Sequence, residues 1–308
     1  MPSLQLPDPM KQFQPPGFEP QHIQTSLGKM VYYSPARAPW RSPIETTSPP
    51  LVFLHSLGGG SSAFEWSKVY PAFAAIHRII APDLVGWGQS AHPPRDYSIA
   101  DYLAVITECL EQVAQQPATV VSTSLTAGLV LRLASQRPDL FDSLFLVSPS
   151  GYSDFGQDYQ SGLAAQLAGT PILDRIIYTL GAANELAVRN FLEQFLFAKR
   201  SRITDEMVAA YVASAQQENA EYAALASLKG SLCFDLSLYI DALQTPTFML
   251  WGAASRFTSV AQGQRLASLN PAAVKDFVSM DDVGVLPHLE LPAVVIGLLQ
   301  SWLQADHT

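Results

Sequence analysis

The sequence predicts an α/β protein in which helices cover both faces of a mostly parallel sheet. Short, wholly apolar runs alternate with longer segments whose apolar residues recur every three or four positions. Strands buried on both faces read as such continuous runs, and the intervening helical segments supply the crossovers that parallel strands need. The chain has 308 residues and is 48% hydrophobic, which is enough for a sizeable core.

The N-terminal part precedes this alternation. Residues 1–20 are rich in proline and are predicted to form an extended arm. Polar and apolar residues alternate over 22–33 around Gly28, which predicts a β-hairpin. The segment 34–50 follows as a proline-rich loop with no helical period.

Six further strands and three helices make up the predicted core, over residues 21–151 and 239–308. The strands are the apolar runs LVFLH (51–55), RIIAP (78–82), PATVVST (117–123), SLFLVSP (143–149), TPTFMLW (245–251) and, more weakly, AVKDFVS (273–279). The helices are the segments 100–115, 125–138 and 291–304, each with apolar residues on one side.

The segment 152–238 breaks the alternation, because it contains helical runs at 183–198 and 204–228 and no convincing strand. We expect it to form a helical lid inserted after the sixth strand. Its apolar residues at helical spacing are candidates either for the core or for contact with a ligand. They are Leu163, Ile176, Phe191, Leu196 and Tyr211.

Composition excludes several classes of function. The net charge is −9 and the basic residues are scattered, so we expect no nucleic-acid partner. Cys109 and Cys233 form neither a CxxC pair nor a zinc spacing, so we expect no metal, no cofactor and a reducing compartment. The N-terminus lacks the pattern of a secretory signal, and no stretch of about 18 apolar residues occurs. These features predict a cytoplasmic protein without a transmembrane segment.

Four loop motifs carry the chemistry, and the last of them lies just before the final predicted helix. They are HSLGGGSS (55–62), APDLVGWGQSAHP (81–93), VVSTSLTAGLVL (120–131) and DVGVLPHLELP (282–292). In this order and spacing the chain resembles the α/β-hydrolase fold family, in the branch with a helical lid. The resemblance extends over about residues 20–304.

That resemblance implies a serine nucleophile on a sharp strand-to-helix turn, followed along the chain by an acid and a histidine. The nucleophile position falls on Ser124. The usual flanking glycines are replaced by Ser122 and Thr126, and the second of these is β-branched and predicts crowding. The implied oxyanion donors are the backbone N–H groups of Leu57 and Leu125.

The other two members of the triad are missing. The acid position after the seventh strand falls on Ser255, and the histidine position falls on Val285. Neither side chain can take the serine proton or orient a base. Two substitutes deserve a test: Asp154, which otherwise is a solvated loop residue, and His288, which lies three residues on, beyond a proline. His55 is expected to be a buried structural residue, and no positional argument brings the remaining histidines to Ser124.

We therefore predict a catalytically degenerate family member that binds a small apolar molecule or a partner protein. Loss of one triad member costs about 10⁴ to 10⁶ in turnover, and what remains is about 10³ to 10⁴ over water. The alternative is a serine esterase that uses Ser124 with displaced Asp154 and His288. A third hypothesis is a protein-interaction module that docks through the arm or through Trp40 in the loop 34–50.

Overall fold

The protein is described by a computed structural model over residues 11–40, 48–157, 178 and 184–305. The predicted lid residues Leu163 and Ile176 and the terminal His307 lie outside these ranges. The described residues form one mixed sheet with helices on both faces, which confirms the predicted fold class.

The sheet has eight strands in the order β1-β2-β4-β3-β5-β6-β7-β8. The strands β1 and β2 form an antiparallel hairpin, β2 pairs antiparallel with β4, and all other pairs are parallel. The strands are β1 (Phe18–Thr25), β2 (Gly28–Pro35), β3 (Leu51–Leu54), β4 (Ile79–Pro82), β5 (Ala118–Thr123), β6 (Phe141–Val147), β7 (Thr247–Gly252) and β8 (Val274–Met280).

The central strands are mostly apolar because successive side chains enter two different cores. In β3, Val52 and Leu54 pack into one cluster, and Leu51 and Phe53 pack into the other. The residues of β3, β4 and β5 are all buried. This two-sided burial is the physical reason that the strands could be located from short apolar runs.

The helices of the described ranges follow the predicted alternation. They are α1 (Ile99–Cys109), α2 (Ser124–Gln136), α3 (Glu185–Phe191), α4 (Asp205–Ala215), α5 (Ala220–Leu228), α6 (Ser237–Ile240), α7 (Val260–Leu269), α8 (Pro287–Glu290) and α9 (Pro292–Gln304). Side chains of α1, α2 and α7 join the first core cluster, and those of α9 join the second. No helix of the described ranges has the length and apolar character needed to cross a bilayer.

The region between β6 and β7 is helical where the structure describes it, but the predicted single run at 204–228 is two helices. The polar residues 216–219 separate α4 from α5, and Asn219 adopts a left-handed conformation with φ 65°. Side chains of α3 and α4 form a third apolar cluster with residues 285–289. The role of this region as a lid stays a prediction.

The N-terminal arm is docked from residue 11 onward rather than freely extended. A 3₁₀ turn spans Lys11–Phe13, and the Phe13 ring lies 6.1 Å from that of Phe64. Trp40 contacts Phe18 with ring centroids 5.5 Å apart, and its indole N–H donates to the Pro16 carbonyl at 2.8 Å. These contacts tie Trp40 to the N-terminal arm.

Candidate functional site

Ser124 lies on a sharp turn between β5 and α2. Its φ is 58°, in the left-handed region that a residue with a side chain seldom adopts. Holding a non-glycine residue there costs about 1–2 kcal/mol. The predicted strand, turn and helix around Ser124 are therefore present, and the turn is a strained one.

The two substituted flanking positions are accommodated by local contacts. Thr126 is fully buried, and its hydroxyl donates to the His55 carbonyl at 2.7 Å, so this residue ties the turn to the end of β3. The position at which α2 lies too close to the segment after β6 for a side chain is instead Gly128, where a Cβ would lie 2.5 Å from the Ser150 carbonyl oxygen. Thr126 is thus accommodated through a hydrogen bond, and the position in α2 that requires a glycine is residue 128.

The Ser124 hydroxyl has one hydrogen-bond partner among the described residues, the phenol of Tyr152 at 2.6 Å. Tyr152 itself has a positive φ of 61°, and its backbone N–H donates to the Ser150 hydroxyl at 2.9 Å. Sequence reasoning missed Tyr152, because its approach to Ser124 depends on the turn after β6. No histidine or carboxylate of the described ranges contacts the Ser124 hydroxyl.

The predicted acid and base positions hold other structural roles. Ser255 is half-buried in the turn after β7, and its hydroxyl accepts the Thr258 N–H at 3.4 Å. Val285 is 4% exposed and packs in the third apolar cluster, beside Leu196 and Leu289. Its backbone N–H donates to the Leu196 carbonyl at 2.9 Å, so the position of the missing base is attached to the helical region.

A buried carboxylate strengthens this attachment. Glu290 accepts the N–H of Gly284 at 2.5 Å and that of Ala198 at 3.1 Å, and forms an ion pair with Arg202 at 2.8 Å. Its side chain has no exposed surface. The loop that would carry a catalytic histidine is therefore fixed on both sides of Val285.

His288, the first of the two predicted substitutes, makes no hydrogen bond with the Ser124 hydroxyl among the described residues. Its ring is fully buried and stacks on Trp66, with centroids 3.9 Å apart and an interplanar angle of 15°. Neither ring nitrogen has a hydrogen-bond partner among the described residues. Burial lowers the pKa of His288 to about 3, so the ring is neutral at physiological pH.

Asp154, the second substitute, is a buried structural carboxylate rather than a solvated one. It accepts the Ser150 hydroxyl at 2.6 Å and the N–H groups of Gly151 and Leu236 at 3.0 and 2.9 Å. Burial raises the pKa of Asp154, and these hydrogen bonds oppose the rise. Its oxygens are engaged in holding the segment after β6, not in orienting a base.

His55 is structural, as its position predicted. Its Nε2 accepts the Leu84 N–H at 2.9 Å, which places the proton on Nδ1, where it donates to the Ser56 carbonyl at 2.6 Å. Burial lowers its pKa to about 4. His22 is exposed on β1, His77 contacts the Pro49 carbonyl at 3.2 Å, and neither contacts Ser124.

The loop that carries Leu57 is held by a buried glutamate that sequence reasoning also missed. Glu65 accepts the N–H of Ser56 at 2.7 Å, the Ser56 hydroxyl at 2.9 Å and the Tyr211 hydroxyl at 2.9 Å. Burial raises the pKa of Glu65, and its hydrogen bonds with Ser56, Ser61 and Tyr211 oppose the rise. A charged residue inside the otherwise apolar run AFEW was the available sequence signal.

Among the described residues, Ser124 thus lies on a sharp strand-to-helix turn with the Tyr152 phenol as the hydrogen-bond partner of its hydroxyl. Leu125 lies in the first turn of α2, where backbone N–H groups have no intrahelical acceptor. The oxyanion donors Leu57 and Leu125 therefore stay a prediction that the fold accommodates. Within the described residues no three side chains of the metal-binding types lie close enough together to hold a metal ion.

Comparison with known proteins adds relatives of several activities. An uncharacterized protein of Mycobacterium tuberculosis is 36% identical over 108 residues, which are 35% of this chain and 31% of that protein. The chain thus matches about a third of that relative's length. An uncharacterized hydrolase of Bacillus subtilis, YugF, is 27% identical over 271 residues, 87% of this chain and 92% of its own.

Solved structures share the whole fold at low identity. The haloalkane dehalogenase DbeA from Bradyrhizobium elkani superposes with a TM-score of 0.73 at 19% identity, covering 93% of this chain and 97% of its own. A serine hydrolase of carbazole degradation, CarC, gives a TM-score of 0.72 at 16% identity, covering 93% and 98%. The family model described as the alpha/beta hydrolase fold matches residues 49–291. Together with the sheet order and the turn at Ser124, this match places the chain in the α/β-hydrolase fold family.

Proposed function

We propose that this protein is a non-hydrolytic, or very weakly active, α/β-hydrolase-fold protein that binds a small apolar molecule beside Ser124. One observation carries the proposal: the Ser124 hydroxyl is bonded to the Tyr152 phenol, 2.6 Å away, where an active serine needs a base. The positions of the base and acid hold Val285 and Ser255.

The energetic consequence is large. A serine hydroxyl is protonated at neutral pH and is a weak nucleophile without an adjacent base. Because triad members act as a unit, the loss of both partners leaves only about 10³ to 10⁴ of acceleration over water, from binding and oxyanion contacts. This remainder is far below the total acceleration that an enzyme typically provides.

Apolar surface beside the serine supports a small apolar ligand. The Phe257 ring is 39% exposed and lies 6.0 Å from the Tyr152 ring. Exposed aromatic side chains near a strained turn are typical of a binding site. A protein partner that docks on Trp40 is less well supported, because Trp40 is engaged with the arm.

Covalent labelling tests the loss of hydrolysis. A fluorophosphonate probe and p-nitrophenyl butyrate are applied to the wild-type protein and to Ser124→Ala, with an intact serine hydrolase as the positive control. We expect the wild type to label and turn over no faster than Ser124→Ala. Rapid labelling and turnover that are abolished in Ser124→Ala would contradict the proposal.

The same assay tests the rival, a serine esterase with displaced partners. If His288 and Asp154 served Ser124, then His288→Phe and Asp154→Asn would each abolish whatever labelling the wild type shows. Binding is tested separately with the neutral apolar dye Nile red. We expect Phe257→Ala to weaken dye binding and Leu238→Ala, at a 74% exposed position on α6, to leave it unchanged.

A further inference from the structure

The N-terminal arm joins the second apolar cluster to the third. Phe18 belongs to the second cluster, and its ring lies 4.8 Å from that of fully buried Tyr70. Phe13, five residues earlier, packs against the third cluster, where its ring lies 6.1 Å from that of Phe64 at an interplanar angle of 73°. The arm therefore crosses from the core of the sheet to the cluster that α3 and α4 form with residues 285–289.

Residues 14–18 fix the arm to the core. Gln14 is buried, and its amide oxygen accepts the hydroxyl of Tyr70. The carbonyl of Gly17 accepts two backbone N–H groups of the segment after β2, at 2.9 and 3.0 Å. A Cβ on Gly17 would lie 2.6 Å from two carbonyl oxygens, and its φ is 84°, so this close approach requires a glycine. Phe13 is thus positioned by the fixed segment that follows it.

The helix α4 lies along the segment that carries Phe64. Among the described residues, three side-chain contacts join α4 to residues 61–68: Glu206 with Lys68 at 2.8 Å, Tyr211 with Glu65 at 2.9 Å and Ser214 with Ser61 at 2.8 Å. Phe64 is fully buried in the same segment, and it contacts the arm as well as belonging to the third cluster. The arm and α4 therefore meet at one short segment of the core.

One of these contacts continues to the loop at 55–62. Glu65 accepts the Tyr211 hydroxyl from α4, and it also accepts the N–H of Ser56 at 2.7 Å. The same carboxylate therefore holds both the helix and the loop that carries Leu57. Any movement that separates α4 from residues 61–68 removes one of the groups that fix this loop.

The contact of Phe13 is strong enough to affect α4 and weak enough to open in the folded protein. Phe13 is half-buried, whereas Phe64 is fully buried. Full burial of an aromatic side chain shifts an equilibrium by about 10- to 150-fold. A half-buried ring accordingly contributes roughly three- to tenfold. A contribution of this size changes how often a local region opens without deciding whether the chain folds.

We propose that residues 13–18 form a strap that holds the helical region on the core. Phe13 keeps the third cluster closed at Phe64, and release of its ring loosens α4 and the loop at 55–62 while the sheet stays folded. The strap thereby sets how often the loop that carries Leu57 is freed from α4. This inference concerns the motion of the chain itself, so it goes beyond the proposed function and does not depend on the binding of a small molecule.

Hydrogen exchange followed by mass spectrometry tests the strap in the full-length protein. Phe13→Ala removes the ring and leaves residues 14–18 in place. We expect exchange to become three- to tenfold faster in peptides that cover α4 and residues 55–62. Exchange in α7, which packs in the first cluster, should stay as in the wild type. The result is a local change of opening, because only the regions joined to Phe64 lose a contact.

Phe277→Ala is the matched control. Phe277 is also half-buried, and its ring lies 6.0 Å from that of Trp251, but it is on the edge strand β8. Trp251 packs on Gly263 of α7, where a Cβ would lie 2.5 Å from the indole. We expect Phe277→Ala to speed exchange in β8 and α7 and to leave α4 unchanged. The two variants should thus give opposite patterns.

Three outcomes overturn the strap. The first is unchanged exchange of α4 in folded Phe13→Ala, and the second is an equal rise in α4 and α7. The third is a rise in α4 of the same size in Phe277→Ala. Should Phe13→Ala not fold, Phe13→Leu keeps part of the apolar contact and must still speed exchange in α4 more than in α7. None of these readings involves a ligand, so failure of the strap leaves the proposed binding function to its own assay.

Discussion

Replacement of His288 by phenylalanine should make the protein more resistant to acid. The neutral ring is buried against Trp66, neither of its nitrogens has a hydrogen-bond partner in the part of the chain that the structure describes, and burial lowers its pKa to about 3. In the unfolded chain the pKa of histidine is about 6.5, so the unfolded state binds the proton first as the pH falls. The stability contributed by neutral His288 is therefore complete above about pH 6.5 and is lost as the pH falls from there toward 3.

The magnitude follows from the two pKa values. At pH 4.5 the unfolded histidine is almost wholly protonated and the folded one almost wholly neutral. The difference of about two pH units from 6.5 corresponds to about 2.7 kcal/mol, at 1.36 kcal/mol per unit. Phenylalanine keeps a planar ring against Trp66 and removes the titratable group, so this part of the acid destabilisation should disappear. Any cost of the larger ring is present at both pH values and cancels in the difference.

Urea unfolding followed by circular dichroism at pH 7.5 and pH 4.5 gives the loss of unfolding free energy for each variant. We expect His288→Phe to lose about 2.7 kcal/mol less than the wild type between these two conditions. His22→Phe, at an exposed position on β1, is the control and should lose as much as the wild type. An equal loss in the wild type and in His288→Phe would refute the assignment of a buried, unpartnered neutral ring.

Three further substitutions test the turn and the loop beside it. Ser124→Gly should be about 1 kcal/mol more stable to urea than Ser124→Ala, since both lose the hydroxyl and only glycine relieves the positive φ. Gly128→Ala should lower the free energy of unfolding by about 1–3 kcal/mol, because its Cβ would lie 2.5 Å from the Ser150 carbonyl oxygen. Gly297→Ala in α9 is the control: its Cβ would meet open space, and it should stabilise the protein by up to about 1 kcal/mol. Glu290→Ala should lower the free energy of unfolding by about 3–5 kcal/mol, because it leaves the Arg202 guanidinium and two backbone N–H groups without their acceptor. A loss below 1 kcal/mol in urea unfolding would contradict this role of Glu290.

The sheet was predictable because its physical signal is local. A strand buried on both faces is apolar at most positions, and the predicted apolar runs match the observed strands to within one or two residues. The run at 143–149 is displaced, since β6 spans Phe141–Val147 and Ser148 already has a positive φ of 45°. Boundaries depend on the turn that follows, and that turn is set by contacts distant in sequence.

The helical region was only partly predictable for a related reason. Apolar spacing located the run at 204–228, but the helix break at Asn219 required a left-handed residue that periodicity does not reveal. The polar stretch 216–219 was the available signal. The arm shows the same limit, because its docking depends on the contact between Phe13 and Phe64, which lie far apart in the chain.

From the sequence, the site could be predicted as positions that lack the expected titratable side chains, but the contacts made at the site could not be predicted. The spacing of the loop motifs identified Ser255 and Val285 as positions without titratable side chains. It could not identify Tyr152 or Glu65, because their roles arise where the segment after β6 meets the end of β5, and where α4 meets the loop after β3. Asp154 was expected to be solvated, and the structure buries it because three donors converge on it.

The altered positions are connected through the interior, which explains why they occur together. A catalytic histidine loop must leave its ring free to face the serine, whereas here the Val285 N–H is bonded to Leu196 and its side chain fills an apolar cluster. Among the described residues, the Ser124 hydroxyl is hydrogen-bonded to the Tyr152 phenol at 2.6 Å. The strained turn at Ser124, its hydrogen bond with Tyr152 and the apolar packing of Val285 are the observations that support the proposed loss of hydrolysis.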